Sequence, residues 1–191
     1  MRLFIGIEFQ QDILERLYFL QNELRNHMRS GRFPDKDNLH LTLQFFGDTP
    51  ANRVKDIIQV LAGVARNNRA FMLSFGQLGY FGQGNPIRVV WLGLNGDLKA
   101  LRRLQAGIVL SMQELGFKDE RRAYSPHITL AREADFAGNE GMLDRGQIQL
   151  DIGQLPAFYV SKFSLISSSV EQGKRIYRAL ATFTLNEAKQ G

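Results

Sequence analysis

The sequence predicts an α+β protein: one domain over residues 1–191, bilobed and internally duplicated, whose antiparallel sheets, flanked by helices, share a central groove. Three observations predict it. Strand-like and helix-like periodicities alternate along the chain. Whole segments match at one fixed separation of 87 residues, which divides the chain into halves of about 1–86 and 87–191. A His-x-Thr segment recurs at that same separation.

Residues 2–8 alternate apolar side chains as a strand does, and residues 12–28 place Ile13, Leu17, Leu20, Leu24 and Met28 on one helical face. Residues 38–46 read as a second strand, 50–66 as a helix with Val54, Ile57, Ile58 and Leu61 inward, and 71–78 as a third strand. A turn-rich stretch at 79–86 closes this half. The pattern restarts with a strand at 87–94, a helix at 97–115 striped by Leu101, Leu104, Ile108, Met112 and Leu115, and a strand at 124–131. Residues 137–154, rich in Gly, Asp and Gln, read as a loop with one short helical piece at most. Strands at 158–167 and 175–185 fit a hairpin around Gly173.

At the separation of 87, Phe4 and Gly6 fall on Trp91 and Gly93, Leu14 and Leu17 on Leu101 and Leu104, and Phe71, Ser74 and Leu78 on Phe158, Ser161 and Leu165. Strands and first helix stay in register without a gap. Only the second helix lacks a counterpart, its place being taken by the polar stretch after residue 136.

With 191 residues, 44% of them hydrophobic, 23% charged and 10% aromatic, the chain has the make-up of a globular domain large enough to fold without staples. The absence of cysteine excludes thiol nucleophiles, disulfide frameworks, Cys-ligated zinc and iron–sulfur clusters. Residues 1–9 lack the apolar core and cleavage site of a secretory signal, and no apolar run approaches the roughly 20 residues of a membrane span. A cytoplasmic protein without membrane attachment or an obligate protein partner is expected, monomeric by default. The net charge of +5, carried mostly by arginine, suits anionic partners such as phosphate esters or RNA but selects none of them.

Of three histidines, His40 and His127 lie in Leu39-His40-Leu41-Thr42-Leu43 and Pro126-His127-Ile128-Thr129-Leu130. In a strand, residues two apart share a face, so each His and its Thr point one way and the intervening apolar residues point to the core. With five Thr in the chain, a Thr two positions after a given His is about a 3% event, and two hits among three His arise by chance on the order of 0.2% of the time. A duplicated fold brings the two imidazoles face to face across the groove. Two such groups, with ordinary pKa near 6.5, can divide into one neutral base and one protonated acid, which suits in-line phosphoryl transfer. The hydroxyls of Thr42 and Thr129 can hold the non-bridging phosphate oxygens, and Arg132 can offset charge that builds in the transition state. Arg132 lies five residues beyond His127, so strict alternation turns it to the opposite face; its role requires a strand end or bulge after Leu130. The spacing alone leaves open which histidine is acid and which is base.

Other motifs carry less. Gly79, Gly82 and Gly84 precede a strand where a dinucleotide fingerprint needs a helix, and Gly173-Lys174 lacks the rest of a P-loop. No His pair has helical spacing and neither His-x-Thr segment carries a nearby carboxylate at ligand spacing, so no metal and no cofactor is expected. Arg32, Lys36, Arg121 and Arg122, just before the motif strands, are further candidate phosphate contacts, and His27 is assigned no role.

These residues resemble the two-histidine phosphoesterase superfamily, and within it the RNA 2',3'-cyclic phosphodiesterases also called 2'-5' RNA ligases. The resemblance covers nearly the whole chain: the opening Arg2-Leu3-Phe4-Ile5-Gly6-Ile7, the first motif with Phe45 and Gly47, Val90-Trp91-Leu92-Gly93, the second motif through Arg132, and Leu165, Ser168, Gly173 and Tyr177 near the end. It implies a bilobed α+β fold and metal-independent hydrolysis of an RNA or nucleotide 2',3'-cyclic phosphate to a 2'-phosphomonoester, with reverse 2'-5' ligation as a further activity. It implies His40 as proton donor, His127 as proton acceptor, and Thr42, Thr129 and Arg132 as substrate contacts. The chain departs from the pattern at Ser125, where a larger or basic residue is frequent, and at Gln44, where Lys is frequent. A related phosphodiesterase acting on a 2'-5' oligonucleotide or cyclic ADP-ribose phosphate, or an RNA-end-binding module without catalysis, are the alternatives.

Overall fold

The computed structural model describes residues 1–82, 84–118, 123–136, 150 and 152–187, so Arg121, Arg122 and most of the loop expected at 137–154 lie outside the described residues. In chain order the elements are β1 (Arg2–Glu8), α1 (Gln11–Asn26), β2 (Met28–Arg32), β3 (His40–Asp48), α2 (Val54–Arg66), β4 (Phe71–Phe81), β5 (Ile87–Gly96), α3 (Leu98–Glu114), β6 (Ile128–Phe136), β7 (Phe158–Val160), β8 (Lys162–Glu171) and β9 (Lys174–Thr184).

The helices form where the apolar stripes predict them. Leu17, Leu20 and Leu24 of α1, Ile57 and Leu61 of α2, and Leu101, Leu104, Ile108 and Met112 of α3 are all buried. The Asp97 side chain caps α3, accepting a hydrogen bond of 2.9 Å from the Ala100 amide. The helix expected to reach Met28 instead ends at Asn26 with His27 as its C-cap, and Met28–Arg32 is a short strand paired to β6. This strand escapes sequence reading because Arg29, Ser30 and Arg32 break any apolar alternation; its pairing partner, and not its own side chains, makes it a strand.

The strands pair antiparallel in one curled sheet of order β7–β4–β5–β6–β3–β1–β8–β9, with β2 branching from β6. The single strand expected at 158–167 is two: β7 pairs with β4, and β8, beginning two residues later, pairs with β1 and β9. The chain therefore passes from one end of the strand order almost to the other within a few residues, which requires the sheet to curl. A parallel bridge between Arg69 and Asn186 marks the same closure.

The separation of 87 residues also relates registers. In β1 and β8, Arg2 faces Ser168, Phe4 faces Ile166 and Ile5 faces Leu165; in β5 and β4, Val89 faces Phe81, Trp91 faces Gly79 and Leu92 faces Leu78. Two extra residues correspond as well. Ile5 and Gly6 face Gln44 and Thr42, leaving Leu43 as an extra residue in β3, and Val90 and Trp91 face Ala131 and Thr129, leaving Leu130 extra in β6.

Between the halves, β3 and β6 share one register pair, Leu41 with Ile128, both fully buried. That pair lies immediately after His40 and His127. It is the point from which the groove opens.

Candidate active site

An antiparallel pair at Leu41 and Ile128, continued one residue each way, sets His40 across from Thr129 and Thr42 across from His127. All four side chains then stand on the face opposite the buried pair, each half-buried. The two histidines are diagonal neighbours, for which a spacing of about 7–8 Å is typical. The site is thus built at the joint of the two motif strands.

Each imidazole is oriented by its own upstream backbone. Nδ1 of His40 donates to the Asn38 carbonyl at 2.7 Å, and Nδ1 of His127 donates to the Ser125 carbonyl at 2.8 Å. These bonds assign the proton to Nδ1 in the neutral ring and leave Nε2 for chemistry. His40 Nε2 meets Thr42 Oγ1 at 3.0 Å. The carbonyl of Asn38 is available because Lys36–Asn38 form a 3₁₀ turn before β3, while Tyr124 through His127 precede β6 instead of lying within a strand.

Aromatic rings wall each histidine. Phe4 and Tyr177 pack against His40 with centroids at 4.7 and 5.3 Å, and Phe81 and Trp91 pack against His127 at 4.9 and 6.2 Å. Phe4 and Trp91 are the pair matched at the 87-residue separation. Gly6 packs closely beside His40, since a Cβ there would stand 3.2 Å from the Leu41 carbonyl and 3.3 Å from the Phe4 ring, and Gly79 lies under the Trp91 indole, where a Cβ would come within 2.4 Å of the ring.

Burial lowers the pKa of both histidines from the ordinary value by disfavouring the charged ring. The upstream carbonyls oppose this, while the Arg132 guanidinium adds to it at both sites. At His40, the carboxylate of Glu8 raises the pKa and the neighbouring His127 lowers it further. Glu8 is the direct cross-strand partner of His40.

Arg132 reaches this site because of Leu130. The extra residue makes both Leu130 and Ala131 point inward, and alternation resumes one position late, with Arg132 exposed on the groove side. The bulge that its candidate role requires is present. Its carbonyl is held by Gln21 from α1: Nε2 donates to the Leu130 carbonyl at 2.9 Å and to that of Pro34 at 3.2 Å. At the matching place in β3, Leu43 and Gln44 both point inward and Phe45 takes the position corresponding to Arg132. Gln44 is buried, so its amide does not line the groove.

Two contacts that sequence reading misses tie the site together. The Tyr124 hydroxyl donates to the Thr42 carbonyl at 3.1 Å, joining the approach to His127 onto β3, and burial raises its pKa. The Asn38 amide donates to the Arg175 carbonyl at 2.8 Å, joining the approach to His40 onto β9. Neither leaves a local signal, because each partner is more than 80 residues away. Gln21 does leave one: a polar residue at a core position of an otherwise apolar helical stripe. Among the described residues no group of His, Asp and Glu gathers as a metal-ligand set. Arg32 pairs with Glu133 at 2.6 Å, and His27 is exposed at the end of α1.

The curled antiparallel sheet with three helices is the fold of LigT-like phosphoesterases. The model of the family described as LigT like Phosphoesterase matches residues 7–91. The RNA 2',3'-cyclic phosphodiesterase of Escherichia coli K12 is 30% identical over 97% of this chain and 97% of its own length, and that of Methanothermobacter thermautotrophicus is 28% identical over 96% and 98%. The crystal structure of E. coli LigT complexed with 3'-AMP superposes with a TM-score of 0.79 at 30% identity, covering 96% of this chain and 97% of that one. The chain belongs to the RNA 2',3'-cyclic phosphodiesterase family of LigT-like phosphoesterases.

Proposed function

We propose that this phosphoesterase hydrolyses the 2',3'-cyclic phosphate of an RNA end or nucleotide to a 2'-phosphomonoester, with no cofactor or metal, in a single domain of two duplicated halves that each supply one His and one Thr. The observation that carries this reading is the pair of imidazoles, each held through Nδ1 by a carbonyl so that Nε2 is left for proton transfer. Matching registers and bulges at the 87-residue separation support the duplication.

His127 Nε2 takes a proton from water as the water oxygen bonds to phosphorus. The P–O3' bond breaks, and His40 Nε2 gives its proton to O3'. Thr42 and Thr129 donate to the non-bridging oxygens, and Arg132 offsets the charge on them. The site ends with His127 protonated and His40 neutral, and exchange with solvent resets it. A 5'-hydroxyl in the place of water forms a 2'-5' linkage by the same steps.

The test is turnover of a 2',3'-cyclic mononucleotide with EDTA present, resolving 2' from 3' monoesters. His40→Ala and His127→Ala are each expected to lose about 10²- to 10⁴-fold in kcat. Wild-type rates in both variants, or a requirement for added metal, would refute the mechanism. Tight RNA binding with no turnover favours a binding module instead.

A further inference from the structure

Outside the histidine site, a hollow of about 390 Å³ lies against α1, lined by Tyr18, Arg25, Phe33, Pro34, Asp35 and Lys36. Its volume falls within the range of ligand sites, and it contains no residue that the hydrolytic steps use. Tyr18 and Arg25 are seven residues apart, two helical turns, and so share one face of α1. Gln21 lies between them, and its Nε2 donates to the Pro34 carbonyl at 3.2 Å. That bond ties the opposite wall of the hollow to the helix.

The hollow combines flat groups with positive charge. The Arg25 guanidinium lies over the Phe33 ring, 4.4 Å from its centroid, and Arg25 is exposed, so the second face of the planar group is open to another ring. Tyr18 stands outside the apolar stripe of α1 and is 41% exposed, an aromatic side chain that contributes little to the core. Among the described lining residues, Arg25 and Lys36 outweigh the one carboxylate, Asp35. Stacking faces beside cations are what unpaired bases and their phosphates recognise, whereas an acidic peptide would use the cations and leave the rings idle. Position favours RNA as well. Phe33, Pro34 and Asp35 also line the cationic groove beside His40, so this short segment is a ridge shared by the two sites. The 3₁₀ turn that follows it ends at Asn38, whose carbonyl holds His40.

We propose that the hollow on α1 is a second RNA site, separate from the catalytic groove, which takes an unpaired base upstream of the nucleotide that carries the cyclic phosphate. The base stacks on Tyr18 and the open face of Arg25, and a flanking phosphate meets Lys36. This rests on the proposed hydrolysis for its direction: the strand whose 3' end is held between the histidines runs back over the ridge at Phe33 to Asp35. A free cyclic mononucleotide cannot occupy both sides of that ridge, and a base paired in a duplex cannot stack in the hollow. The site therefore selects single-stranded RNA ends by length without entering the chemistry.

The experiment measures kcat/KM on a ladder of single-stranded RNAs, from the mononucleotide to the octamer, each ending in the same 2',3'-cyclic phosphate, for the wild type, Tyr18→Ala, Tyr18→Phe and Arg25→Gln. Wild-type kcat/KM is expected to step up at the length that first reaches the hollow. Above that length Tyr18→Ala is expected to lose roughly fivefold or more, the lower end of what one stacked base contributes, and Arg25→Gln a comparable factor. Tyr18→Phe keeps the ring and is expected to keep the step. All three variants are expected to turn over the mononucleotide as the wild type does, which reports an intact histidine site. A ladder without a step in the wild type, or a Tyr18→Ala protein that loses the same factor at every length, overturns the second site and leaves the hydrolysis reading in place. No turnover at any length refutes the hydrolysis reading, while fluorescence anisotropy of a labelled octamer that still weakens about fivefold in Tyr18→Ala upholds the hollow as an RNA site. Octamer binding indifferent to Tyr18→Ala and Arg25→Gln, with binding of a glutamate-rich peptide that depends on both, assigns the hollow to acidic peptides and overturns the proposal.

Discussion

At each motif a carbonyl two residues upstream, Asn38 or Ser125, accepts a hydrogen bond from Nδ1–H and so decides which nitrogen faces the groove. Glu8, directly across from His40 on β1, favours the protonated form of that ring, whereas among the described residues no carboxylate is a cause of the His127 shift. Neutralising Glu8 removes a group that raises the His40 pKa, so Glu8→Gln is expected to lower that pKa further and to move the descending, alkaline limb of the kcat/KM profile to lower pH. Rates well below that limb are expected to change little, because His40 is still protonated there. A pH–rate profile that superposes on the wild type shows instead that Glu8 does not act on the acid. At this scale the spacing of His40 and Thr42 on one strand face is legible in the sequence, and the 87-residue match of Phe4 with Trp91 falls on one of the two rings at each imidazole. Glu8 is not legible, since only the register of β1 against β3 puts it beside His40.

The placement of Arg132 is a property of an element. Strict alternation along β6 sends it away from His127, and the extra residue at Leu130 returns it. No feature of the segment Thr129-Leu130-Ala131-Arg132 distinguishes a bulged strand from a regular one, because Leu and Ala suit either face. What identifies the bulge lies 109 residues away: Gln21, fully buried in α1, donates to the carbonyl of Leu130. The apolar stripe of α1 is readable from its period, but the purpose of its one buried polar side chain is not, because the partner comes from another element. The boundary of α1 and the strand β2 are obscure for a related reason, as Met28–Arg32 is a strand only through its pairing with β6. Replacing Gln21 with Met keeps the volume and removes the donor. The exposed-to-buried cost of an unpaired carbonyl predicts a loss of about 1–3 kcal/mol in denaturant stability. Relaxation of the bulge is expected to lower turnover as well, through displacement of Arg132. Loss of stability with kcat/KM unchanged would mean that the bulge persists without Gln21.

On the scale of the whole molecule, the two motif strands β3 and β6 meet at the single register pair Leu41 and Ile128, and a site made at such a joint has coupled titration. Both imidazoles are held below their ordinary pKa of 6.5: His40 by burial first, with Arg132 and His127 adding to it against the Asn38 carbonyl and Glu8, and His127 by burial and then Arg132 against the Ser125 carbonyl. The proposed acid–base pairing needs one ring charged and the other neutral, a state most populated between the two macroscopic pKa values of the pair. As both values lie below 6.5 in the free protein, kcat/KM is expected to peak on the acid side of 6.5. A bound cyclic phosphate brings a negative charge between the rings, which favours imidazolium and raises both values. The kcat profile, which reports the bound state, is therefore expected to be displaced to higher pH than the kcat/KM profile. Steady-state rates from about pH 5 to 8 separate the two curves. Coincident curves, or a kcat/KM maximum well above neutrality, would mean that the paired histidines do not supply the rate-determining proton transfers.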